Sequence, residues 1–169
     1  MKRLIIIFMT ISLLLLSFSA HAGVLKIDWI DIKKYTDIEV ADGAQKPFEE
    51  RVVRDLTEFF ATAAKEYLPV DQILYVRITD LDLAGDVDYF FEPYEQPMRV
   101  IKEIYFPSIE FSYELRDAQN QVIKSGSENI KDMDFLFTGI KSLKSDPFYY
   151  EQQLIDNWFR NTFNKLKKS

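Results

Sequence analysis

Between Lys46 and Leu68 the apolar residues Phe48, Val52, Leu56, Phe59, Phe60, Ala63 and Tyr67 return at three- and four-residue steps, whereas the patterned stretches on either side return at two. The first period is that of an amphipathic helix and the second that of a half-buried strand. One long helix must therefore pack on strands. Pro47 suits the first turn of this helix and Pro69 lies just past its end.

The strand patterns are specific. Val24 to Trp29 alternates Leu25, Ile27 and Trp29 with Val24, Lys26 and Asp28, and Ile73 to Leu83 alternates Leu74, Val76 and Ile78 with Tyr75, Arg77 and Thr79. Ile109 to Leu115 sets Ile109, Phe111, Tyr113 and Leu115 against Glu110, Ser112 and Glu114. A polar turn, "RDAQNQ", joins it to "VIKSGSENI", which predicts a β-hairpin with Gly126 at a bulge or a close backbone approach. Val100 to Tyr105 is a further strand candidate, broken or bulged at Pro107, and Asp86 to Arg99, with Pro93 and Pro97, reads as a long loop. A terminal helix is expected from Asp146 as N-cap and Pro147 at its first position, with Leu154, Ile155, Trp158, Thr162, Phe163 and Leu166 along one face. The order β-α-β-β-β-α predicts an α+β fold, a mostly antiparallel sheet of about four strands with two helices packed on one face.

The N-terminus pairs Lys2 and Arg3 with an apolar run from Leu4 to Leu16 and the small-x-small site Ala20-His21-Ala22, the pattern of a cleaved secretory signal peptide. Residues 1–22 are thus expected to be removed, leaving residues 23–169 as a single domain in the periplasm, with no transmembrane segment after cleavage. The chain has no cysteine, and its one histidine, His21, would leave with the signal. Nucleophile systems built on Cys-His or Ser-His-Asp and the usual zinc sites are excluded for such a product, and no cofactor is expected. The formal charge of −6, more negative still without Lys2 and Arg3, disfavours nucleic acid as a partner. Arg160, Lys165, Lys167 and Lys168 gather at the end of the last helix, where cations complement the helix dipole.

The stretch "TDLDLAGDVDYFFEPYEQP" concentrates acids and aromatics. Asp80, Asp82, Asp86 and Asp88 with Gly85 do not meet the spacing of a calcium loop, since Ala84 and Phe91 fall where oxygen ligands are needed. No metal site is assigned. Leu81 and Leu83 alternate with Asp80 and Asp82, so a solvated strand end followed by a turn at Gly85 is the simpler reading. The catalytic reading would draw an acid and base pair from Asp82, Asp86, Asp88, Glu92 and Glu95, with no particular pair singled out. The binding reading takes Asp82, Asp86, Asp88, Tyr89, Phe90, Phe91 and Tyr94 as the contact residues, because rings that do not cover the sheet are typical interface anchors.

Four stretches together, "YTDIEVADGAQKPFEERVVRDL", "TDLDLAGDV", "PSIEFSYELRDAQNQVIKSGSENIKDM" and "SDPFYYEQQLIDNWF", resemble the proteobacterial family known as domain of unknown function 3016. The resemblance runs from about Ile27 to Phe163. It implies one exported envelope domain without an established activity or cofactor, and it transfers no functional residues. The expectation from residues and resemblance together is a non-enzymatic periplasmic module that binds a protein partner, with a carboxylate-dependent hydrolase of envelope glycan, metal-assisted or not, as the alternative.

Overall fold

The computed structural model describes residues 23–138 and 146–163. The expected signal peptide, residues 139–145, and the C-terminal stretch carrying Lys165, Leu166, Lys167 and Lys168 lie outside them. In chain order the elements are β1 (Val24–Trp29), α1 (Gln45–Tyr67), β2 (Ile73–Asp82), β3 (Asp86–Phe91), β4 (Gln96–Val100), β5 (Ser108–Arg116), β6 (Val122–Lys131), α2 (Phe135–Thr138) and α3 (Tyr149–Phe163).

Four strands form one sheet in the order β1-β2-β5-β6, with β1 parallel to β2 and the other pairs antiparallel. The parallel pair follows from α1, which carries the chain from the end of β1 back to the start of β2. The α+β class is that expected. Its core lies between the sheet and the helices, where Leu56 and Phe60 of α1, Leu74 and Ile78 of β2, Phe111 and Leu115 of β5, and Ile155, Phe159 and Phe163 of α3 are fully buried. Full burial of such side chains stabilises by roughly 1.5–3 kcal/mol each, so this layer dominates the fold. Trp158 sets its ring edge-on to Phe111 and Tyr113, at centroid distances of 4.8 and 5.2 Å. The Tyr67 hydroxyl donates to Asp156 Oδ1 at 3.0 Å and ties the end of α1 to α3. The opposite face of the sheet is polar, with the Tyr75 ring between Lys26 and Arg116.

The ladder slips at one place that governs everything beyond it. Ile78 pairs with Phe111 but Asp80 with Glu110, so Thr79 is an extra residue. A bulge reverses which face later residues occupy. The buried set therefore changes from Leu74, Val76 and Ile78 to Leu81 and Leu83, and Asp80 and Asp82 leave the core.

Two expectations about the strands are corrected. Asp86 to Arg99 is no loop: it contains most of a second, two-stranded antiparallel sheet, β3-β4, turning through a cis Glu92–Pro93 peptide. Each proline meets a condition that strands tolerate, Pro93 in the turn and Pro97 in a two-stranded sheet where both strands are edges. Val100 ends a strand rather than beginning one, and the chain from 101 to 107 is irregular before β5. Gly126 is the close approach of the two alternatives, since a Cβ there would lie 3.0 Å from the Tyr113 ring; the bulge in that hairpin is at Ile123, the extra residue of β6 between Lys124, opposite Leu115, and Val122, opposite Arg116. At the last helix, Asp146 Oδ1 accepts from the Phe148 N–H at 3.0 Å, and regular helix starts at Tyr149.

Candidate functional site

The site is built where the bulged end of β2 meets hairpin β3-β4. After β1 the chain returns to β2: the Asp37 N–H donates to Leu81 O at 3.1 Å and the Leu83 N–H to Asp37 O at 3.0 Å. This isolated bridge sets Asp37 beside Asp82 at the end of β2, two like charges on neighbouring segments. Arg99 of β4 answers the first of them. Its Nη1 donates to Asp37 Oδ2 at 2.7 Å and to Gly85 O at 2.9 Å, and its Nη2 to Asp37 Oδ1 at 2.9 Å and Glu39 O at 2.8 Å.

Four of the five guanidinium donors are therefore engaged, so Arg99 is a clamp and has little left for an anionic ligand. It holds the base of the hairpin to the 37–39 segment and to the turn at Gly85. Gly85 has φ +85°, and a Cβ there would stand 2.7 Å from Val100 O, so both the backbone conformation and the contact require glycine. The Tyr89 hydroxyl donates to Glu39 Oε1 and adds a second tie farther along β3; that bond to a carboxylate raises the Tyr89 pKa.

Asp82 keeps no such counter-ion to itself. Burial, then the charges of Asp37 and Asp80, push its pKa up to about 6, with Arg99 pulling the other way. Asp37, Asp82 and Asp86 line a cleft of about 250 Å³ with Gly85, Ile104, Tyr105 and Phe106. Asp80 is engaged elsewhere, accepting from the Thr36 N–H at 2.7 Å and hydroxyl at 2.6 Å. Among the described residues no group of three or more acidic or histidine side chains is placed to hold a metal ion.

On the other side of the same turn lies Glu151, in the first turn of α3 and 1% exposed. Its Oε1 accepts from the Ala84 N–H at 2.7 Å, while Oε2 has no hydrogen-bond partner among the described residues. Burial raises its pKa to about 7 against the bonds from backbone N–H groups. Ala84 also lines a cleft of about 460 Å³, floored by Phe48, Leu83 and Phe148 and rimmed by Glu39, Asp42 and Asp146.

The seven sequence-predicted contact residues divide into two sets. Asp82 and Asp86 share the small acidic cleft at the base. Asp88, Tyr89, Phe90, Phe91 and Tyr94 lie along the hairpin toward its turn, where the Asp88 carboxylate accepts from the Phe90 N–H and Phe91 stacks on Tyr94 with centroids 6.2 Å apart. Phe90 is 83% exposed and Tyr94 61%, so these rings do not cover the sheet. Ile104, beside the acidic cleft, is 71% exposed.

Sequence reading missed Asp37, Glu39, Arg99 and Glu151. Glu151 alone carried a visible signal: it stands three, four and seven residues before Leu154, Ile155 and Trp158, on the stripe that faces the core. No helix among the described residues is long and apolar enough to cross a membrane. None of the curated proteins matches the chain. Residues 23–161, covering the sheet, the hairpin and nearly all of α3, match the model of a protein family of unknown function, DUF3016, and the chain belongs to that family.

Proposed function

We propose that the protein is a non-enzymatic binding module of the bacterial cell envelope, exported to the periplasm, with the outer part of hairpin β3-β4 as its contact surface for a protein partner. One observation carries this reading: Phe90, 83% exposed, stands on a hairpin whose base is held by the four hydrogen bonds of Arg99. An aromatic ring kept in water on a fixed support loses little freedom when it docks, which is the physical basis of an interface anchor. Tyr94 and Met98 add exposed apolar side chains on the same hairpin, and Asp88, Glu92 and Glu95 place negative charge along it, which suits a partner with basic residues near an apolar pocket. Site-specific photo-crosslinking tests it in cells: a benzophenone side chain at position 90 or 94 should yield a discrete adduct that the same group at Ser112, on the polar sheet face, does not. No adduct from the hairpin, or equal adducts from both faces, would remove the reading.

A second reading has one observation in its favour. Asp82, its pKa raised to about 6, shares the acidic cleft with Asp86 as a general acid would in a carboxylate-dependent hydrolase of envelope glycan. Such an enzyme should cleave purified glycan with a rate that falls as pH rises through about 6 and is lost in Asp82→Asn. Turnover retained in that variant would eliminate Asp82 as the acid.

A further inference from the structure

The four-stranded sheet ends at β6, whose outer edge pairs with no strand among the described residues. An unpaired edge is a template for another strand, and proteins usually shorten it, bend it, interrupt it with proline or place charges along it, which repel a strand unless that strand brings the opposite charges. β6 is ten residues long, has no proline, and has its bulge only at one end, near Val122. The other edge strand, β1, has six residues.

From the self-complementarity of β6 we infer that the protein associates with a second copy of itself, edge to edge, about a two-fold axis at Gly126. Antiparallel pairing centred there places Lys124 opposite the partner's Glu128 and Glu128 opposite the partner's Lys124. Ser125 then meets the partner's Ser127, and Gly126 meets the partner's Gly126. Moving the axis by one residue sets Lys124 opposite glycine or isoleucine and leaves both charges without a counterpart. The contact is isologous, so each favourable pair occurs twice.

The side chains allow it. Lys124 Nζ donates to Thr162 O at 3.0 Å, which holds it over the end of α3 and leaves two of its three donors for a carboxylate. Val122 and Ile123, 50% and 46% exposed, lie at the bulged end of β6, beyond the paired stretch from Lys124 to Glu128. Two sheets joined in this way form one eight-stranded sheet with both helical layers on the same side and the two β3-β4 hairpins at a distance from the joint. One strand pair lies at the small end of specific interfaces, the class of weak and transient association.

The experiment is sedimentation equilibrium on the protein as its host processes it, from about 1 to 200 µM, a range that spans weak association. The wild type should pass from monomer to dimer. Glu128→Lys, which puts lysine opposite lysine twice, should lower the association constant at least tenfold, and the exchange variant Lys124→Glu/Glu128→Lys should restore it. Circular dichroism at the lowest concentration confirms that each variant is folded, and concentration-dependent slowing of amide exchange confined to β6 gives a second readout for the wild type alone. A protein monomeric throughout, a dimer indifferent to Glu128→Lys, or one broken by Asp28→Lys instead, which would move the joint to β1, overturns the inference.

Discussion

At the scale of single residues, the unusual group is Glu151, a carboxylate in the core with one oxygen bonded and the other without a partner among the described residues. Its folded pKa of about 7 stands above the ordinary 4.5, so between those values the native state holds a proton that the unfolded chain has released. Stability from this group is therefore complete below about 4.5 and is lost as pH rises toward 7, a penalty on the order of 3 kcal/mol for a shift of this size. Asp82 contributes in the same direction, between its ordinary 3.8 and about 6. Urea unfolding at pH 5 and pH 8 should show wild type weaker at pH 8, and Glu151→Gln, which cannot ionise, should lose most of that difference while keeping an acceptor for Ala84. An unchanged pH dependence in Glu151→Gln would show that the carboxylate is not the source. The position was legible as an acid on an apolar stripe; its pairing with Ala84 was not, because those residues are 67 apart in sequence.

At the scale of elements, hairpin β3-β4 is held at its base by Arg99 and farther along β3 by the bond from the Tyr89 hydroxyl to Glu39. Arg99 and Asp37 are less than one-fifth exposed, so removing the guanidinium leaves Asp37 without its counter-ion, with only the Glu39 N–H bond, and takes a donor from each of two carbonyls, and Arg99→Ala should cost about 3 kcal/mol. Arg99→Lys should recover only a small part, because an ammonium cannot span both oxygens of Asp37 and two carbonyls with one planar fork. Amide exchange in β3 and β4 should rise in both variants before that in β2 or β5. Phe90→Ala marks the opposite case: the ring is 83% exposed, so thermal unfolding should move stability by less than about 0.5 kcal/mol, while adducts from a crosslinker at position 94 fall sharply. A large stability loss there would mean that the ring serves the fold. The sequence shows this segment as acids, rings and prolines and suggests a loop, since prolines argue against central strands. They do not argue against a hairpin whose two strands are both edges.

At the scale of the whole molecule, one aromatic layer joins the sheet to both helices. Phe60 of α1 touches Phe111 of the sheet and Trp158 and Phe159 of α3. Phe60→Ala should therefore destabilise by about 3–5 kcal/mol, a large share of the 5–15 typical of a domain, in a single cooperative transition measured by urea unfolding. Separate transitions for helices and sheet would contradict a shared core. This layer could be read in advance, because periods of 3.6 and two state which side of each element is apolar, and those sides must meet. The change of phase in β2, from even-numbered buried residues to Leu81 and Leu83, was equally present in the sequence and required the bulge at Thr79. Sequence by itself therefore determined the class of fold and, for the two long helices and the strands of the four-stranded sheet, where each element runs, since these depend on neighbours a few residues apart. Only the tertiary structure decided that Asp37, Asp82, Arg99 and Glu151 surround one turn and that the rings of β3-β4 stand in water. Those arrangements depend on contacts between segments distant along the chain, which no local period encodes.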